Sequence, residues 1–158
     1  MIKVNYRALG MLSTNCYVVE NPDSQKVLIV DPGDSPLEIE RQIDEIDGDP
    51  EAILLTHGHF DHMLAADALR EKYHIPVYVH EKEQHLLGDP KENLSGLWSK
   101  PYTMQADVRH LIVTAFADVL SVEDQPSARR LVEAADNIHQ CCFSGTRRTH
   151  DRNVLAFF

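Results

Sequence analysis

Two β-branched and aromatic runs, Cys16-Tyr17-Val18-Val19 and Lys26-Val27-Leu28-Ile29-Val30, flank the turn-forming Asn21-Pro22-Asp23-Ser24 and predict an antiparallel hairpin. Asp31-Pro32-Gly33-Asp34 stops the second strand. Ser35-Pro36-Leu37-Glu38 then reads as a capping box with proline at the first helical position. Leu37, Ile39, Ile43 and Ile46 give the helix an apolar stripe, and Gly48-Asp49-Pro50 ends it. Ala52-Ile53-Leu54-Leu55 is wholly apolar, which predicts a strand buried on both faces. A helix over 63–73 follows, with Leu64, Ala65, Ala68 and Leu69 on one face. Pro76-Val77-Tyr78-Val79 predicts a further strand, 81–87 a helix, and 88–101 a loop holding the single tryptophan, Trp98. Strands alternating with helices predict one α/β domain up to about residue 107. Farther on, Leu111-Ile112-Val113 predicts a strand, and the spacing of Leu131, Val132, Ala135 and Ile138 a helix.

At 158 residues the chain is long enough to bury a real core. Twenty-five acids against fifteen bases give a net charge of −10, which disfavours nucleic acid and anionic membrane as partners. No segment approaches the roughly 20 apolar residues of a membrane span, and the first residues lack the apolar run of a signal peptide. Cys16, Cys141 and Cys142 make an odd count with two neighbours adjacent, so no disulfide framework is visible. A cytoplasmic protein with free thiols is the expectation.

Directly after the apolar run comes Thr56-His57-Gly58-His59-Phe60-Asp61-His62. Three imidazoles and a carboxylate this close need polar partners, and a divalent metal satisfies all four. Taken singly, each histidine could cap the next helix or bond to nearby backbone. On extended backbone, His57 and His59 point the same way and reach one ion. Gly58 between them lets the loop close tightly. Asp61 and His62 approach a second position. Imidazole and carboxylate suit zinc, or else iron or manganese. Asp31, after a strand, is either an acceptor that orients a ligating imidazole or an Asx-turn residue. His74, His80 and His85 are expected on the surface. His110, His139 and His150 are candidates for completing a metal site, His139 being the one carried forward as an additional ligand.

The cluster, together with Thr14-Asn15-Cys16-Tyr17-Val18-Val19, Asp31-Pro32-Gly33-Asp34 and Ile53-Leu54-Leu55, resembles the metallo-β-lactamase superfamily, and within it the small hydrolases related to glyoxalase II. The resemblance implies an αββα sandwich, of mixed α+β and α/β character, matched over 1–107 and incomplete beyond. It places the metal motif in 1–107, with 108–158 a divergent segment of the same domain. It implies that His57 and His59 bind one metal, Asp61 and His62 a second, and that Asp61 helps to orient the attacking hydroxide as a catalytic residue. Asp31 matches the aspartate beneath the site. One or two zinc ions, a small-molecule substrate and hydrolysis of a thioester or other ester-type carbonyl follow from the same resemblance.

The second half of the family pattern is not found. Ala117-Asp118-Val119-Leu120 stands in place of Gly-Asp-x-Leu, and Phe143-Ser144-Gly145 is followed by Thr146 where aspartate is expected. A truncated, spliced or frameshifted gene product is one expectation for the stretch after 107. With only two ligands assured at the first position, a catalytically impaired metal-binding remnant, or an interaction module, stands beside the hydrolase. A half sandwich also predicts an uncovered apolar sheet face and self-association through it.

Overall fold

The computed structural model describes residues 2–97 and 100–109. The expectations at Trp98, the strand 111–113, the helix 128–138, His110, His139, His150, Cys141 and Cys142 lie outside those residues.

The described residues form one mixed sheet in the order β1 to β6, where β1 is Lys3–Leu9, β2 Thr14–Asn21, β3 Lys26–Val30, β4 Asp49–Leu55, β5 Val77–His80 and β6 Asp107–Arg109. β1, β2 and β3 pair antiparallel, and β3 through β6 pair parallel. The expected hairpin is β2–β3, with Tyr17 opposite Val30 and Asn21 opposite Lys26. β1 is an element the hydrophobic pattern did not predict. Only Leu9 of its seven residues is buried, so it is an edge strand without the alternation that marks a half-buried one.

Helix α1 spans Pro36–Glu45, as expected, but not by the expected cap. Ser35 sits at φ 52 and makes no side-chain cap bond, its hydroxyl instead donating to Asp34 Oδ1 at 3.1 Å. Proline at the first turn therefore starts the helix. Ile39 and Ile43 are buried, whereas Leu37 is 65% exposed and lies off the apolar stripe. Asp49 and Pro50 belong to β4 and not to the helix stop. Pro50 is accommodated because the β3–β4 register shifts there, and because β5 pairs with β4 only from Ile53 onward. Helix α2 begins at Ala66 and ends at Tyr73, after a single 3-10 turn over Phe60–His62. Its inward residues are Ala66 and Leu69, with Met63 and Ala65 before it, while Leu64 and Ala68 face outward. A 3-10 turn, Glu81–Glu83, runs into α3, Gln84–Leu87.

β3 and β4 are buried on both faces, as the apolar run predicts. Val27, Ile29, Ile53 and Leu55 pack under α1 and α2, each such side chain contributing roughly 1.5–3 kcal/mol by burial. On the other face Val19, Leu28, Val30, Ala52 and Leu54 form a second buried cluster. Ile2, Tyr17 and Tyr78 pack against this second cluster. Among the described residues no helix is long and apolar enough to cross a membrane.

Candidate metal centre

Parallel pairing brings the carboxyl ends of β3, β4 and β5 to one rim of the sheet, the place where ligands bind in parallel sheets. Asp31 follows β3, His57 to His62 follow β4, and Glu81 to Glu83 follow β5. The motif loop is fastened to its neighbours through its backbone. Ala65 N–H donates to Pro32 O at 2.9 Å, and Phe60 N–H to Asn93 O at 3.0 Å. Gly33 is packed so closely on the Asp61 carbonyl that a β-carbon at 33 would overlap it.

Asp31 is the hub. Its backbone lies in the left-handed region at φ 50, pinned by its N–H donating to Leu54 O at 2.9 Å. Aspartate tolerates this region better than most residues, and the turn carries its carboxylate toward β4. Oδ1 accepts from Thr56 N–H at 2.8 Å, and Oδ2 from the Thr56 hydroxyl at 2.7 Å. The same Oδ2 lies 3.0 Å from His62 Nδ1, without the alignment of a hydrogen bond. The Asp31 carboxylate thus bonds to Thr56 and stands beside the His62 imidazole.

Thr56 extends this chain to His57. Its oxygen lies 3.0 Å from His57 Nδ1. A hydroxyl has one proton, and Thr56 gives it to Asp31, so the oxygen can only accept from Nδ1–H. His57 is thereby held with its proton on Nδ1 and a free lone pair on Nε2, one of the two forms in which an imidazole binds metal. Burial, and secondarily the neighbouring His62, push His57 down to about 4, so the ring is neutral at pH 7. Burial opposes protonation of His62, but Asp31, with Asp61 adding, outweighs it and raises this imidazole above its ordinary range.

The three rings are gathered. His57 and His62 have centroids 4.0 Å apart, and His57 and His59 4.7 Å. Asp61 Oδ2 accepts from the Thr14 hydroxyl at 2.6 Å and lies 3.5 Å from His62 Nε2. This donor set has the chemistry a divalent metal takes: the neutral His57 imidazole with its Nε2 lone pair free, two further imidazoles against it, and the Asp61 carboxylate beside them. Among the described residues, however, no three His, Cys, Asp or Glu groups are disposed to hold one ion. The motif is assembled, but 57–62 do not close a ligand shell.

His74 and His85 lie on the surface, as expected, His85 pairing with Glu92 at 3.3 Å. His80 is half-buried and accepts from Lys82 N–H at 3.2 Å, capping the turn after β5. The residues sequence reasoning missed are Thr14, Thr56 and Gly33. Each stood inside a motif already singled out, but a hydroxyl's partner depends on which strands lie side by side.

The Metallo-beta-lactamase superfamily profile matches residues 9–146. The probable metallo-hydrolase YqgX of Bacillus subtilis (strain 168) is 44% identical over 89 residues, 56% of this chain and 41% of that protein. Among solved structures, BLEG-1 B3 metallo-β-lactamase is 40% identical with a TM-score of 0.61, covering 67% of this chain and 52% of that one. TTHA1623 in a di-iron-bound form is 34% identical with a TM-score of 0.55, covering 66% of this chain and 52% of that one. The chain thus spans about two-fifths of the length of the curated relative it matches. With the profile matched over most of its length, and the fold shared across the sheet that carries the histidine motif, the chain belongs to the metallo-β-lactamase superfamily.

Proposed function

We propose that this chain carries the metal-binding part of a glyoxalase II-like hydrolase acting on a thioester or related ester-type carbonyl of a small molecule. The observation that carries the reading is the Asp31–Thr56–His57 chain of hydrogen bonds, which prepares His57 Nε2 as a ligand. His57 and His59 would hold one ion, Asp61 and His62 a second, with further ligands drawn from elsewhere. Zinc suits these donors, and iron is the alternative that the di-iron neighbour favours. A bound ion of this kind supplies Lewis acidity that makes water nucleophilic near neutral pH. The protein's own part is positional. Thr56 fixes the His57 tautomer, Asp31 draws His62 inward, and Thr14 aims the Asp61 carboxylate, which orients the nucleophile.

The test is hydrolysis of an acyl-glutathione thioester by the purified chain. Turnover that stops with chelator and returns with zinc or iron is the expected result. Folded, metal-loaded protein with no turnover overturns the reading of this chain as a hydrolase in its own right. The absence of three convergent donors among the described residues favours a second reading, a metal-binding chain of impaired catalysis. It predicts metal by elemental analysis, without turnover.

A further inference from the structure

One buried acid at the rim has no part in the chemistry above. Glu83 ends the 3-10 turn after β5 and is 1% exposed, although glutamate is among the residues least often fully buried. Its Oε2 accepts from Gly58 N–H at 3.2 Å. Gly58 lies between the two histidines of the first metal position, and its N–H belongs to the peptide that joins it to His57. Holding that peptide plane restricts ψ of His57 and φ of Gly58, two of the four backbone torsions between the α-carbons that carry the two imidazoles.

Two features make this restraint necessary. Glycine is the most permissive residue in the backbone, so an unrestrained Gly58 would let the two rings swing apart. The space leaves no alternative residue there, because a β-carbon at 58 would lie 2.7 Å from Leu86 Cβ and 3.1 Å from Glu83 O. The close approach to α3 demands glycine, and glycine in turn demands an external hold.

We infer that Glu83 is a positioning residue of the metal loop, its buried carboxyl group fixing the His57–Gly58 peptide so that His57 and His59 present to the same ion. This rests on the metal-binding reading above. Glu83 touches neither ligand side chain in this role; it acts through the backbone between them.

The experiment compares the full chain with Glu83→Leu and Glu83→Gln. Leucine fills the space without an acceptor, and glutamine keeps a carbonyl oxygen for Gly58. Zinc affinity is read by competition with a chromophoric chelator, and ligand geometry by the visible spectrum of the cobalt-loaded protein. The hydrogen bond itself is read by amide exchange at Gly58 in metal-free protein. Glu83→Leu is expected to lose about 10–100-fold in zinc affinity, the range for residues that orient ligands, to alter the cobalt spectrum and to lose protection at Gly58. Glu83→Gln is expected to recover most of each. A folded Glu83→Leu with unchanged affinity and spectrum overturns the inference alone. So does a wild-type Gly58 amide that exchanges as fast as an open loop, which keeps the test decisive should Glu83→Leu not fold. Wild-type protein that takes up no metal overturns the metal reading and this inference together.

Discussion

Asp31 holds a left-handed backbone and three polar contacts at once, and the two can be separated by substitution. Glycine adopts φ 50 freely, so Asp31→Gly removes the carboxylate without the strain that Asp31→Ala retains. Both are expected to lose roughly 10–100-fold in metal affinity by chelator competition. Calorimetry of the metal-free proteins should show the glycine variant melting higher than the alanine one. Thr56→Val tests the tautomer argument directly. It removes both the donor to Asp31 and the acceptor for His57 Nδ1–H. Nitrogen chemical shifts should show His57 populating both tautomers, with metal affinity falling as for Asp31. At this scale the sequence displayed the ligating residue types, because their chemistry is local. It did not display Thr56 as the link, since that depends on Asp31 lying across a parallel strand pair.

Gly33 joins two elements that the chain order separates, the turn after β3 and the motif loop. Gly33→Ala drives a β-carbon into the Asp61 carbonyl and must push the loop away. A loss of about 1–3 kcal/mol is expected, the usual cost of overpacking, read as a lower urea midpoint together with weaker metal uptake. Legibility at this scale followed burial. The apolar runs of β3 and β4 and the Ile39–Ile43 stripe of α1 were readable because both faces, or one clear face, meet the core. β1 was not, since an exposed edge strand is held by backbone bonds to β2 that any side chains permit. The cap at Ser35 failed for a related reason: Asp34 offers a closer partner for its hydroxyl, and the cap motif assumes there is none.

For the molecule as a whole, burial predicts where stability resides. Among the described strands, amides of Val27 to Val30 and Ile53 to Leu55 should be the slowest to exchange, and those on the outer side of β1 the fastest. Zinc should raise the thermal midpoint, because an ion that binds only the folded chain at 100 times its Kd adds about 2.7 kcal/mol. EDTA should reverse the gain, and a midpoint indifferent to both would place the histidine cluster outside any metal equilibrium.

The parallel run from β3 to β5 has a mechanical corollary. Asp31, the 57–62 loop and Glu83 are each anchored one or a few residues past the end of a strand, and those strands lie in fixed register. Sliding any one of them by a single position would flip its side chains across the sheet and carry its anchor out of reach of the others. The lattice of the sheet therefore acts as a vernier for the rim, so that a core substitution far from any histidine, if it shifts alignment, would detune the centre while leaving every donor in place.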